Sequence, residues 1–184
     1  MREAKKVRKA AGFTLMETMV ALVILGVGVL GLAAMLASSI AIMHGSQDDF
    51  IAQQKAEEAA EAIYTAKYTN NATFAQLSNN TPTNPAGLFS VGPTPLLQPG
   101  PDGLVGTVAD AGQPPEFIVY PGPDNKLGTA DDIQVGLGNF TRTIAISPVA
   151  GYTNSLNQVV ITVNYNTGRF QRSYTLTTYV SANN

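Results

Sequence analysis

The chain of 184 residues contains no cysteine and a single histidine, His44. Without cysteine there is no disulfide framework, no thiol nucleophile and no thiolate metal site, and the thiol count says nothing about the redox compartment. With one histidine there is no His cluster for a catalytic metal and no supporting partner for a nucleophile–base pair. Positive charge is also scarce beyond the start. Arg2, Lys5, Lys6, Arg8 and Lys9 fall in the first twelve residues, against one acid, Glu3. Residues 13–184 then carry six basic and twelve acidic side chains. No basic field remains to neutralise phosphates, so nucleic acid is not an expected partner. The length allows one domain plus an anchor.

What the sequence does have is a long apolar run. Met19 to Ala37 carries no polar side chain. At 1.5 Å per residue this spans about 28 Å, close to the thickness of a bilayer core. A cleaved secretory signal is the rival reading, with small residues at Ala37-Ser38-Ser39. Such signals have an apolar core of about 7–15 residues, however, and this run is longer and continues through Ile40-Ala41-Ile42-Met43. A retained, single-pass transmembrane helix is therefore expected. The five preceding cations place the N-terminus on the cytoplasmic side and the remainder across the inner membrane, in the periplasm.

Glu17 stands at the mouth of this run. An ionised carboxylate costs about 2.5–3.5 kcal/mol at mid-bilayer and less at the edge. It is either an interfacial residue reaching the headgroups or a charge awaiting a partner. The order of residues around it is informative: a basic leader, then Gly12-Phe13-Thr14-Leu15-Met16-Glu17, then the apolar run with Val20-Ala21-Leu22. This arrangement resembles the processing site of type IV prepilins and type II secretion pseudoprepilins. The resemblance implies a leader, residues 1–12, removed by a prepilin peptidase that cuts after Gly12. It implies N-methylation of the new terminus at Phe13, and an assembly role for Glu17, which in that family neutralises the terminal amine of a neighbouring subunit. Cutting there exposes one ammonium near lipid, so each subunit would bring one unpaired cation and one unpaired anion to an apolar place. Pairing across subunits removes both desolvation penalties and selects register.

Gly26, Gly28 and Gly31 lie within the run; each costs about 0.8–1 kcal/mol against Ala in a helix interior. They suit close helix–helix packing, and the pilin resemblance adds a second reading, a place where the helix can unwind. The membrane helix is expected over 13–43, with an amphipathic continuation over 44–69. Ala52, Ala56, Ala59, Ile63 and Ala66 form one stripe, with Lys55, Glu57, Glu58 and Glu61 mostly elsewhere. His44 reads as interfacial, and Asp48 and Asp49 as solvated.

Residues 70–115, rich in Asn, Thr, Pro and Gly, read as mostly loop. Within and beyond them lies an internal repeat: PGPDGLVGTVAD at 99–110 and PGPDNKLGTADD at 121–132. Asp124, Asp131 and Asp132 bring three carboxylates to one short loop, a donor set suited to Ca²⁺ although the spacing is not that of an EF-hand. It is similar to the Asp-rich loop near the sheet of major pseudopilins, which implies calcium there. The first copy offers only Asp102 and Asp110. Two turns with solvated acids are the plainer alternative.

Strands are expected at EFIVY (116–120) and FTRTIAIS (140–147), the latter with Phe140, Arg142, Ile144 and Ile146 on one face. QVVITVNY (158–165) follows, with Val159, Ile161, Val163 and Tyr165 on one face. The run RFQRSYTLTTYV (169–180) has Phe170, Tyr174, Leu176 and Val180 on one face, after a three-residue loop Asn166-Thr167-Gly168. One-sided strands need a covering layer, and the amphipathic helix is the available one. The fold class is thus α+β, pilin-like: one long N-terminal helix on a small antiparallel sheet over 116–184. The resemblance implies a structural subunit, most like a minor pilin of the pilus-modification type, with a minor pseudopilin of type II secretion as the alternative. A tip subunit gripping a surface, a secreted protein or DNA is a third reading. Its partners would be other pilin or pseudopilin subunits, the peptidase, an inner-membrane assembly platform and the bilayer. The chain would end in a filament or at the cell surface. No enzyme is expected.

Overall fold

A computed structural model describes residues 12, 14–152, 155–167 and 170–183. The chain divides into two units, Met1–Met43 and His44–Asn184. One helix, α1 (Leu15–Tyr68), contributes to both. Thr14 caps its start: the Thr14 hydroxyl accepts a hydrogen bond from Glu17 N at 3.3 Å. Its end is marked by Asn70, which adopts a left-handed conformation at φ 57° and lets Ala72 N close on Ala66 O at 3.1 Å.

In the first unit every described residue is exposed. The helix there is long and apolar enough to cross a membrane. The two serines of this unit lie side by side, and the second turns inward on the helix: Ser39 Oγ donates to Met35 O at 3.0 Å, which satisfies a hydroxyl without water.

In the second unit the strands are β1 (Thr94–Pro95), β2 (Phe117–Tyr120), β3 (Ile133–Gly136), β4 (Phe140–Pro148), β5 (Leu156–Thr167) and β6 (Phe170–Ser181). β1, β4, β5 and β6 form one antiparallel sheet in that order, and β2 pairs with β3 in a separate two-stranded ribbon. The alternation read from the sequence sets the inner face: Phe140, Arg142, Ile144, Val159, Ile161, Val163, Tyr165 and Val180 are buried. The stripe Ala52, Ala56, Ala59, Ile63 and Ala66 lies in the same core. The stripe is built mostly of small side chains, and fully burying a residue such as Ile161 stabilises by about 1.5–3 kcal/mol. Phe140 and Tyr165 stack across β4 and β5 with ring centroids 5.4 Å apart.

Three local expectations change. The loop between β5 and β6 is shorter than the three residues expected, because Asn166 and Thr167 remain in the strand and pair with Gln171 and Phe170; the two residues between, 168 and 169, lie outside the described set. β3 was not expected; its alternating Ile133 and Val135 were a signal, but both are exposed, so the burial logic that marks strands does not apply. Lys55 does not belong to the solvated face: its side chain is 13% exposed and bonds to Glu116.

Candidate functional site: the N-terminal segment and the repeated aspartate loops

The N-terminal segment combines one acid with an unbroken apolar surface. Glu17 sits in the first turn of α1, third after the capping Thr14. The sequence Thr14-Leu15-Met16-Glu17 has the spacing of a capping box, a local signal for the start of the helix. A carboxylate in this turn also faces the positive end of the helix dipole. Beyond it, Leu22, Val23, Ile24, Leu25 and Leu30 are each more than 60% exposed. An apolar surface of this extent does not suit water and calls for lipid or other helices. Gly26, Gly28 and Gly31 have open space where a side chain would stand. Gly12 precedes the helix; Phe13 and the leader, residues 1–11, lie outside the described residues.

The two copies of the repeat fold alike. In each, the first aspartate accepts from the backbone two residues on: Leu104 N to Asp102 Oδ1 at 3.1 Å, and Lys126 N to Asp124 Oδ1 at 2.8 Å. In each, the last aspartate accepts two N–H groups through Oδ2: Gly106 and Thr107 onto Asp110 at 2.7 and 3.0 Å, Gly128 and Thr129 onto Asp132 at 2.6 and 3.2 Å. A Cβ on Gly100 would stand 2.4 Å from Ala109 O, and one on Gly122 only 2.2 Å from Asp131 O, so both turns require glycine there.

The copies differ in burial and at five of twelve positions, one of which changes the number of carboxylates. Asp110 is buried and its Oδ1 takes a further bond from Gly100 N at 2.8 Å. The second copy is exposed, and Asp131 stands where the first has Ala109. Three carboxylates there converge on one hydroxyl. Thr129 Oγ1 lies 2.7 Å from Asp131 Oδ1 and 3.4 Å from both Asp124 Oδ1 and Asp132 Oδ1. It has one proton to give. The bond from Thr129, followed by that from Asp124 N, holds the Asp131 carboxyl below its ordinary range. Among the described residues no three acidic, His or Cys side chains are grouped closely enough to cage a metal ion; the loop is closed by its own N–H groups.

Two polar clusters escaped the sequence reading. Glu116, just before β2, links Arg142 of β4 (3.1 Å) to Lys55 of α1 (2.7 Å), and both Glu116 and Arg142 are buried. Asp49 is not simply solvated: Arg172 forks onto its two oxygens at 3.1 and 2.9 Å, and the Tyr165 hydroxyl donates to it. These bonds, Tyr165 first, hold the Asp49 carboxyl below its usual range. Burial, with the neighbouring Asp49, pushes Tyr165 up to about 12. Both clusters join residues more than 25 positions apart, which no spacing rule reports.

A family model described as the prokaryotic N-terminal methylation motif matches residues 7–33. No curated protein and no solved structure matches the chain. The matched segment contains Gly12, Phe13, Glu17 and the three glycines, and it leads into a helix that in the second unit covers an antiparallel sheet. The match to the N-terminal methylation motif, together with the long apolar helix that carries it, supports a type IV pilin-like protein.

Proposed function

We propose that this chain is a structural, non-enzymatic minor subunit of a type IV pilus or related pseudopilus. It is stored in the inner membrane with its leader cytoplasmic and its second unit periplasmic. It is cleaved between Gly12 and Phe13, methylated on Phe13, and polymerised on an assembly platform through its N-terminal helix. The observation that carries this reading is the juxtaposition in the first unit: an apolar helix with every described residue exposed, whose one charge among the described residues, Glu17, lies inside the matched methylation motif. Mass spectrometry of the protein from its host tests it. The expected N-terminal peptide begins at a methylated Phe13; an intact Met1, or a cut beyond residue 37, overturns it.

The Asp124–Asp131–Asp132 loop supports a second, smaller proposal. Its Oδ2 atoms on Asp131 and Asp132 take backbone N–H bonds, while three Oδ1 atoms crowd one hydroxyl. Calcium would relieve that crowding with oxygen ligands alone, provided the three carboxylates draw together. The Tm of the full-length protein in detergent should rise with millimolar Ca²⁺ and fall back in excess EDTA, and Asp131→Ala should abolish the difference. An identical Tm in both conditions removes calcium from this loop.

A further inference from the structure

The two edges of the four-stranded sheet are finished differently. At β4 several outward backbone groups have partners. β1 pairs with Thr141 and Arg142, and Thr94 Oγ1 donates to Arg142 O at 3.2 Å. Where β1 stops, one side chain takes over: Asn79 Nδ2 donates to Ile144 O at 2.7 Å, and Asn79 Oδ1 accepts from Ile146 N at 2.8 Å. A single amide stands in for a missing strand.

At β6 the edge is open among the described residues. Ala182 N donates to Ser155 O at 2.8 Å, so even-numbered residues of β6 bond to β5 and odd-numbered ones turn N–H and C=O outward. Tyr179 O is taken by the Tyr64 hydroxyl at 3.0 Å. Gln171, Ser173, Thr175 and Thr177 are exposed, and among the described residues nothing bonds to their outward backbone groups. Natural edges are usually blunted by proline, lysine, a bulge or shortness. β6 has twelve residues in unbroken register, and its one charge, Arg172, is committed to Asp49 at 2.9 Å.

A second observation adjoins the first. An open cleft of about 560 Å³ lies beside this edge, lined by Phe50 and Gln53 of α1 and by Arg172, Ser173 and Tyr174 of β6. Phe50 is 66% exposed there. An edge with free backbone groups beside a groove with an aromatic wall is the arrangement that binds an added strand: main-chain bonds hold it, and the groove selects alternate side chains.

We propose that β6, from Gln171 to Thr177, accepts an extended segment of another polypeptide as a fifth strand, with alternate apolar side chains entering the cleft beside Phe50 and Tyr174. A second copy fits less well. β6 runs in the same direction as the helix beside it, Arg172 meeting Asp49 and Tyr179 meeting Tyr64. Antiparallel β6–β6 pairing would point two helices opposite ways, whereas filament subunits point one way; this exclusion alone rests on the filament reading.

Amide hydrogen exchange on the full-length protein tests the proposal, comparing detergent-solubilised chain with the assembled form from host envelopes. The amides of Gln171, Ser173, Thr175 and Thr177 should exchange about tenfold or more slowly in the assembled form. Thr175→Pro, which removes one outward N–H and the exposed hydroxyl contact with Thr162 but no backbone bond to β5, should abolish that protection. So should Thr175→Lys, which keeps the backbone and serves if the proline variant folds poorly. Equal exchange in both states, or protection that survives both substitutions, overturns the proposal. In a chain without cysteine, Thr175→Cys provides a single thiol, and a disulfide-linked homodimer in the assembled form would give the edge to a second copy and overturn the assignment. Failure of the filament reading shows separately, as an uncut N-terminus.

Discussion

Glu116→Gln should destabilise the second unit by about 3–5 kcal/mol, lowering its Tm by about 10 °C. Glu116 is 5% exposed and Arg142 1% exposed. Arg142 Nη2 donates to Glu116 Oε1 at 3.1 Å, while its Nε and Nη1 are buried with no partner. The guanidinium therefore has one anchor, and removing that charge strands a cation in the core. The cost comes from the abandoned partner more than from the lost bond. Two comparisons separate these terms. Lys55→Ala should cost less, because Lys55 also has Glu58 at 2.8 Å nearer the surface and leaves Glu116 still paired with Arg142. The double substitution Glu116→Gln with Arg142→Met should recover part of the loss, since no buried charge is then left alone. Thermal unfolding of the full-length protein in detergent measures all three. A Tm for Glu116→Gln within about 2 °C of wild type, or a double variant worse than the sum of its parts, would refute this account.

The second large effect concerns assembly. In the Glu17→Ala protein the leader and the apolar run are unchanged, so insertion and cleavage should proceed normally. What is lost is the carboxylate that would meet a neighbour's terminal ammonium. Leaving that ammonium unpaired costs at most the mid-bilayer figure of about 2.5–3.5 kcal/mol, which sets an upper bound of roughly 100-fold on the weakening of subunit addition. Comparing processed protein in membranes with protein in sheared filaments reads the difference directly. Glu17→Ala protein that enters filaments as readily as wild type would defeat the pairing role.

The parts of the fold that obey a period were legible before any coordinates. The 4-3-4-3 spacing of Ala52 to Ala66 became a buried stripe, and the alternation in 140–147, 158–165 and 169–180 became β4, β5 and β6 with the expected inner faces, except that Phe170, at the very start of β6, is 74% exposed. The segment around Gly12 and Glu17 was legible for a different reason: its chemistry is local, a charge step next to an apolar run. What escaped is non-local or unburied. Lys55 looked like any helix-surface cation until Glu116, 61 positions later, came to meet it. Asp49 looked solvated until β6 brought Arg172 beside it. β3 carries alternation but buries neither face, so its residues lacked the contrast that betrays a strand. In the repeat, the sequence showed two related loops, and only the structure shows that one of them is built into the core.

That difference between the twins separates the form of the turn from its chemistry. The form comes from what both share: a glycine at 100 or 122, a threonine at 107 or 129, and a closing aspartate at 110 or 132. Position 131 adds the extra carboxylate, and the buried twin keeps the same backbone with alanine in its place. A lineage can therefore add or drop that oxygen donor by one amino-acid replacement at 131, with no remodelling of the scaffold around it.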